Sequence, residues 1–122
     1  MKVEHVGIYA RDGEALAAWY CDVLDLAVVR KLEKPGRPPI YFLRGEGGVT
    51  IEILPTGERG PDRGLQGSGL SHIGIAVDDV EQTASRLAAK GVAVHDVHRT
   101  TQGWVIGYFE DPEGNALEIV QR

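Results

Sequence analysis

The chain has 122 residues, 43% hydrophobic and 25% charged, which suits one compact globular domain and excludes a disordered chain. A formal charge of −5 gives phosphate no basic surface to bind, so nucleic acid and membrane are not expected partners and a small molecule is. The lone Cys21 rules out an internal disulfide, and the start Met1-Lys2 leads into a strand pattern without a signal segment or an apolar run of membrane length, so a cytoplasmic protein is expected.

In chain order, residues 3–9 are β-rich and predict a strand with Val3, His5, Gly7 and Tyr9 on one face. Asp12 is a good N-cap, and Leu16, Trp19, Tyr20, Val23 and Leu24 recur at helical spacing, predicting an amphipathic helix over 13–24. A strand is expected over 27–31. Lys34-Pro35-Gly36-Arg37-Pro38-Pro39 reads as a loop by composition, and 40–44 and 49–54 as an antiparallel pair around Gly45-Glu46-Gly47-Gly48. Residues 56–70 carry glycines at 57, 60, 64, 67 and 69 and a proline at 61, the composition of a linker. Beyond it come a strand over 71–77 and a helix over 80–90, with Asp79 as N-cap, Gln82 completing a capping box and Gly91 as the stop. Strands over 92–97, 105–109 and 116–120 close the chain. The order β-α-β-β-β occurs twice.

Residue identity follows the same repeat. His5-Val6-Gly7-Ile8 returns as His72-Ile73-Gly74-Ile75 at an offset of 67, and Ile51-Glu52-Ile53-Leu54 returns as Leu117-Glu118-Ile119-Val120 at an offset of 66. Asp12/Asp79, Glu14/Glu81 and Ala17/Ala84 hold the first offset; Ile40/Ile106, Gly48/Gly114 and Ile53/Ile119 hold the second. A nearly constant displacement means one fold unit present twice. Each half alone is marginal in size and is expected to bury surface against the other half or a second chain, so a homodimer is expected.

A lone His at a strand start is usually a packed or surface residue, and a Glu between apolar neighbours usually faces water. At equivalent places of two copies, His5, His72, Glu52 and Glu118 are expected to converge on one divalent ion. Imidazole and carboxylate suit Zn, Ni, Co, Mn or Fe, and no soft thiolate is offered. The remaining signals are weaker. His95 and His98, three apart in a strand, point to opposite faces by ideal alternation and read as surface or pocket-edge residues. Trp104, Tyr41, Phe42 and Tyr108 read as core or pocket lining, Arg37, Arg44 and Arg99 as solvated charge, and Cys21 as an inert thiol.

The His-[Val/Ile]-Gly-Ile openings, the segment Trp19-Tyr20-Cys21-Asp22-Val23-Leu24-Asp25-Leu26 and the ending Tyr108-Phe109-Glu110-Asp111-Pro112-Glu113-Gly114-Asn115-Ala116-Leu117-Glu118-Ile119 resemble the vicinal oxygen chelate superfamily of glyoxalases, epimerases, extradiol dioxygenases and bleomycin-binding proteins. The resemblance implies an α+β fold in which tandem βαβββ modules form a cupped mixed sheet around one metal. It divides a single domain over 1–122 into module 1 at about 1–55, a linker at about 56–70 and module 2 at about 71–122. It places the metal ligands on His5, Glu52, His72 and Glu118, and the principal proton-transferring carboxylate of glyoxalase-type enzymes on Glu118, with Glu52 as its counterpart.

Four protein ligands leave two adjacent positions on a six-coordinate ion, so a substrate with vicinal oxygens is expected to chelate it. A glyoxalase-like lyase, isomerase or epimerase acting by proton transfer beside a chelated carbonyl is the leading expectation. A ring-cleaving dioxygenase and a drug-binding resistance protein are the alternatives. Glyoxalase I of the two-His, two-Glu kind has a glutathione-holding Arg that falls at Tyr9 here, and an Asn that falls near Thr56; methylmalonyl-CoA epimerase usually has Gln at the place of Glu52.

Overall fold

The structure, a computed structural model, describes residues 1–56 and 69–122. Two compact units divide the chain, Met1–Gly60 and Pro61–Arg122. Except for its flanks, the expected linker lies outside the described residues.

Unit 1 runs β1 (His5–Ala10), α1 (Gly13–Leu24), β2 (Ala27–Lys34), β3 (Arg37–Arg44) and β4 (Thr50–Pro55). The sheet order is β1-β4-β3-β2, with β1 parallel to β4 and the other pairs antiparallel. The Asp12 carboxylate starts α1 by accepting from Ala15 N at 3.0 Å, and Asp25, in the left-handed region at φ 55, ends it. The helix buries Leu16, Ala17, Tyr20 and Val23 against Ile8, Ala10, Leu43 and Ile53. Each such apolar side chain removed from water contributes roughly 1.5–3 kcal/mol, and this layer fixes which face of the sheet is left for polar groups. On that other face lie His5, Gly7 and Tyr9 of β1 and Thr50, Glu52 and Leu54 of β4.

The loop expected over 34–39 is instead the end of a hairpin. Only Pro35 and Gly36, at φ 74, turn the chain, and Pro38 and Pro39 belong to β3. Strands tolerate proline where no ladder bond is lost. Here the β2/β3 register is irregular between the pairs Leu32↔Ile40 and Lys34↔Arg37, and pairing with β4 begins only at Tyr41, so neither missing N–H costs a regular rung.

Unit 2 repeats the order as β5 (Ile73–Ala76), α2 (Val80–Ala89), β6 (His95–Arg99), β7 (Val105–Glu110) and β8 (Ala116–Gln121), with sheet order β5-β8-β7-β6. Asp79 caps α2 by accepting from Gln82 N at 2.8 Å, and Gly91 at φ 79 follows its end. Val80, Leu87, Phe109, Leu117 and Ile119 form the core of this unit. The fold class is α+β, two four-stranded mixed sheets with one helix each. No helix among the described residues is long and apolar enough to cross a membrane.

Unit 2 departs from expectation in β6. Asp96 adopts φ 52 and the register shifts between His95 and His98, which therefore stand opposite Tyr108 and Ile106. Those two are two apart on β7, so the bulge brings both histidines to one face, against the alternation expected of a regular strand. His95 is occupied by Glu110 at 3.0 Å, and His98 Nδ1 by the Asp96 carbonyl at 2.8 Å.

Candidate functional site

The four residues singled out by the repeat come together as two pairs, one in each unit. In unit 1, His5 opens β1 and the parallel register sets Gly7 opposite Glu52, so the carboxylate leans back to the imidazole with His5 Nε2 3.7 Å from Glu52 Oε2. In unit 2, His72 immediately precedes β5, Gly74 stands opposite Glu118, and His72 Nε2 lies 3.3 Å from Glu118 Oε2. The glycine of each His-x-Gly motif stands beside the carboxylate, with a tight approach only at Gly7 against Leu54. A Cβ at Gly7 would come within 3.2 Å of Leu54 Cδ1 and 3.8 Å of Glu52 Oε2, and one at Gly74 within 3.4 Å of Glu118 Oε2.

The other imidazole nitrogen is engaged in both units by the preceding residue. His5 Nδ1 is 2.7 Å from Glu4 Oε2, and because a carboxylate only accepts, Nδ1 carries the hydrogen, so that in the neutral ring Nε2 is the lone-pair donor facing Glu52. His72 Nδ1 is hydrogen-bonded to Ser71 Oγ at 3.0 Å. Outer partners of this kind orient metal-binding histidines and fix their tautomer. Glu4 also holds the His5 imidazolium above its ordinary range, with partial desolvation opposing and the charges of Glu4 and Glu52 assisting.

Tyr108 breaks the symmetry. It pairs with Glu118 across β7 and β8, and its ring meets His72 edge-on at 5.6 Å. Burial pushes the phenol up, and the charge of Glu118 and the hydrogen bond between the two side chains push in the same direction, with a further contribution from Asp96. The equivalent neighbour of Glu52 is Phe42, an aromatic ring with no hydroxyl. Glu118 gains a second support from the turn that feeds β8. The buried Asp111 carboxylate accepts from Glu113 N and Asn115 N, both at 2.9 Å, and from Asn115 Nδ2 at 2.7 Å.

The carboxylates are the shielded members, with Glu52 19% and Glu118 15% exposed against 51% for His5 and 32% for His72. Within either unit, the described residues assemble no group of three His, Cys, Asp or Glu around one point. One unit thus offers two donors, an imidazole nitrogen and a carboxylate oxygen, and that donor chemistry fits a borderline divalent ion.

Glu4 and Ser71 are the contributors that the sequence does not announce, and Tyr108, read from it as core or pocket lining, stands against Glu118. The match to known families spans residues 2–119 and is to the glyoxalase/bleomycin resistance protein/dioxygenase superfamily. The chain belongs to that superfamily. It is 31% identical over 124 residues to a probable lactoylglutathione lyase of Synechocystis, covering 96% of this chain and 92% of the relative. A lactoylglutathione lyase of Haemophilus influenzae is 30% identical over 125 residues, covering 99% and 93%. Among solved structures, a glyoxalase family protein from Enterococcus faecalis shares the fold with a TM-score of 0.83 at 24% identity, covering 98% of this chain and 97% of that one.

Proposed function

We propose that this chain is a metal-dependent glyoxalase-like enzyme, a lyase, isomerase or epimerase, that moves a proton on a carbon beside a carbonyl. One divalent ion (Zn, Ni, Co, Mn or Fe) is held by His5, Glu52, His72 and Glu118, so residues 1–122 act as one functional domain in which each module supplies half of the ligand set. The observation that carries this reading is the doubled pair, an imidazole Nε2 facing a carboxylate at 3.7 and 3.3 Å with Nδ1 engaged in each case. The relatives named lactoylglutathione lyase support the reaction class.

Such an ion, when bound, polarises a carbonyl and makes the neighbouring C–H easier to ionise. The chain's side chains handle the proton. Glu118 is the general base: Tyr108 and the Asp111-braced turn restrain it, and one of its oxygens takes the proton from the substrate carbon. Glu52, beside an aromatic ring that donates nothing, returns a proton as general acid, either to the other face of the same carbon or to its neighbour. The phenol of Tyr108 keeps its own proton and steadies the charge on Glu118.

The substrate is a small molecule with vicinal oxygens. Tyr9 and Thr56 stand where glutathione-using relatives carry Arg and Asn, which argues for a hydroxycarbonyl, keto acid or thioester in place of a glutathione adduct. A cytoplasmic homodimer belongs to the same proposal. Val28 and Val29 on β2 remain 47% and 50% exposed and suit burial against a second copy.

Deuterium uptake at the α-carbon tests the reaction. Metal-loaded protein incubated in D2O with α-hydroxyketones, α-keto acids and CoA thioesters should label at least one class, and chelation should stop it. Oxygen uptake with catechols and no exchange would point to ring cleavage, and ligand binding that survives full chelation would point to sequestration.

A further inference from the structure

The polar face of unit 1 continues past the His5/Glu52 pair into a second, different environment. One row across the strands is Gly7, Glu52, Phe42 and Arg30; two residues farther along each strand, and so about 7 Å away, come the pairs Tyr9–Leu54 and Ile40–Leu32, past the point where β3 and β4 are paired. Here the sheet forms a cavity of about 220 Å³ whose apolar floor, Leu54, Ile40 and Leu32, ends at Lys34 and Arg37 on the β2–β3 hairpin. Among the described residues neither of these cations has an ion-pair or hydrogen-bond partner. The other arginines read as solvated charge are engaged: Arg44 donates to Thr50 Oγ1 at 3.0 Å, and Arg99 to the Gly103 carbonyl at 2.6 Å.

The repeat makes the asymmetry informative. The second row of unit 2 is Ala76, Val120, Ile106 and His98, and the two arginines near its end are engaged, Arg99 with the Gly103 carbonyl and Arg122 over the Trp104 ring at 4.1 Å. Two cations without a partner among the described residues, in a chain of net charge −5, close an apolar trough on the same sheet face as a proposed ligand pair.

We propose that this trough is the substrate's tail site, and that it takes a short apolar chain ending in an anion, a carboxylate or a phosphate held by Lys34 and Arg37. The substrate class then becomes a vicinal-oxygen head joined through an apolar spacer to an anionic end. This rests on the proposed function for the head, whereas the tail site stands on unit 1 alone. Arg37 is accordingly a specificity residue and not idle surface charge.

Calorimetric titration of the metal-free protein with octanoate, octyl phosphate and octanol separates the tail site from the metal. Both anions are expected to bind and octanol to bind about tenfold more weakly, with the gap closing at high salt because rim cations are solvated and each contributes modestly. Comparison of the two anions shows which end group is preferred. Lys34→Ala/Arg37→Ala, both exposed positions, should bind octanoate and octanol alike. Equal binding of octanoate and octanol by the unsubstituted protein, or octanoate affinity unchanged in the double variant, overturns the tail site. With metal present, an alkyl hydroxamate carrying a distal carboxylate should bind more tightly than the plain alkyl hydroxamate and lose that advantage in the double variant. An advantage that persists there would show that Lys34 and Arg37 do not read the tail, whatever the standing of the metal site.

Discussion

Replacing Tyr108 by Phe makes unit 2 resemble unit 1 at one atom. The ring that meets His72 edge-on at 5.6 Å is retained, and only the hydroxyl that bonds Glu118 is lost. Hydrogen bonds to charged acceptors are worth about 1.5–3 kcal/mol, the acceptor here is only 15% exposed, and removal of an outer-shell partner typically lowers metal affinity ~10–100-fold. At about 1.4 kcal/mol per tenfold these two scales agree, so the expected loss in metal affinity is ~10-fold or somewhat more. Competition against a chromogenic chelator measures it at constant pH, with thermal unfolding of the metal-free proteins run beside it. Phe42→Tyr, which offers Glu52 a hydroxyl from the equivalent place, should not reproduce the loss. A Tyr108→Phe protein that binds metal as tightly as the parent, whatever its melting temperature, refutes the claim that the phenol restrains Glu118 as a ligand.

Glu118→Gln should lower the proton-transfer rate about 10²–10⁴-fold, the range of a lost general base, and Glu52→Gln should cost less, since it recreates the ligand set expected of epimerase relatives; α-carbon deuterium exchange compares them. In the metal-free protein the Glu4–His5 pair has its stabilising charge only above the lowered value for Glu4 and below the raised one for His5, so its contribution disappears as pH rises from about 6.5 through the His5 titration. Glu4→Gln should move that titration down, read from the His5 Hε1 resonance, and an unmoved midpoint would exclude Glu4 as its cause. Asp111→Ala removes three hydrogen bonds from a buried carboxylate and should destabilise the protein by roughly 2–4 kcal/mol in urea unfolding; a change under about 0.5 kcal/mol would mean the turn holds β8 without it.

The legible parts of the fold are those where local chemistry and tertiary packing agree. Helix α1 spans 13–24 as read, because Asp12 caps it and its buried residues fall on one stripe. The β2–β3 hairpin was illegible because Pro35-Gly36-Arg37-Pro38-Pro39 is dense in breakers, and only the register shows that two of the prolines fall where no regular rung is lost. The β6 bulge hid in the same way, since nothing in His95-Asp96-Val97-His98 announces a left-handed aspartate.

At the site, the repeat alone led to His5, Glu52, His72 and Glu118, and the structure pairs them within each unit. Their supports were harder to see. Glu4 and Ser71 share the 67 offset but differ in type, and what they have in common is a side-chain oxygen within reach of Nδ1. Phe42 and Tyr108 share the 66 offset as aromatics, so their chemical difference becomes visible only once each stands opposite its carboxylate.

Metal content after exhaustive chelation and reconstitution tests the central claim most directly. Plasma mass spectrometry should find close to one divalent ion per chain in the parent protein and a marked loss in His5→Ala/His72→Ala, with circular dichroism establishing that the variant is folded. Unchanged metal content in that folded double variant would contradict the four-ligand centre.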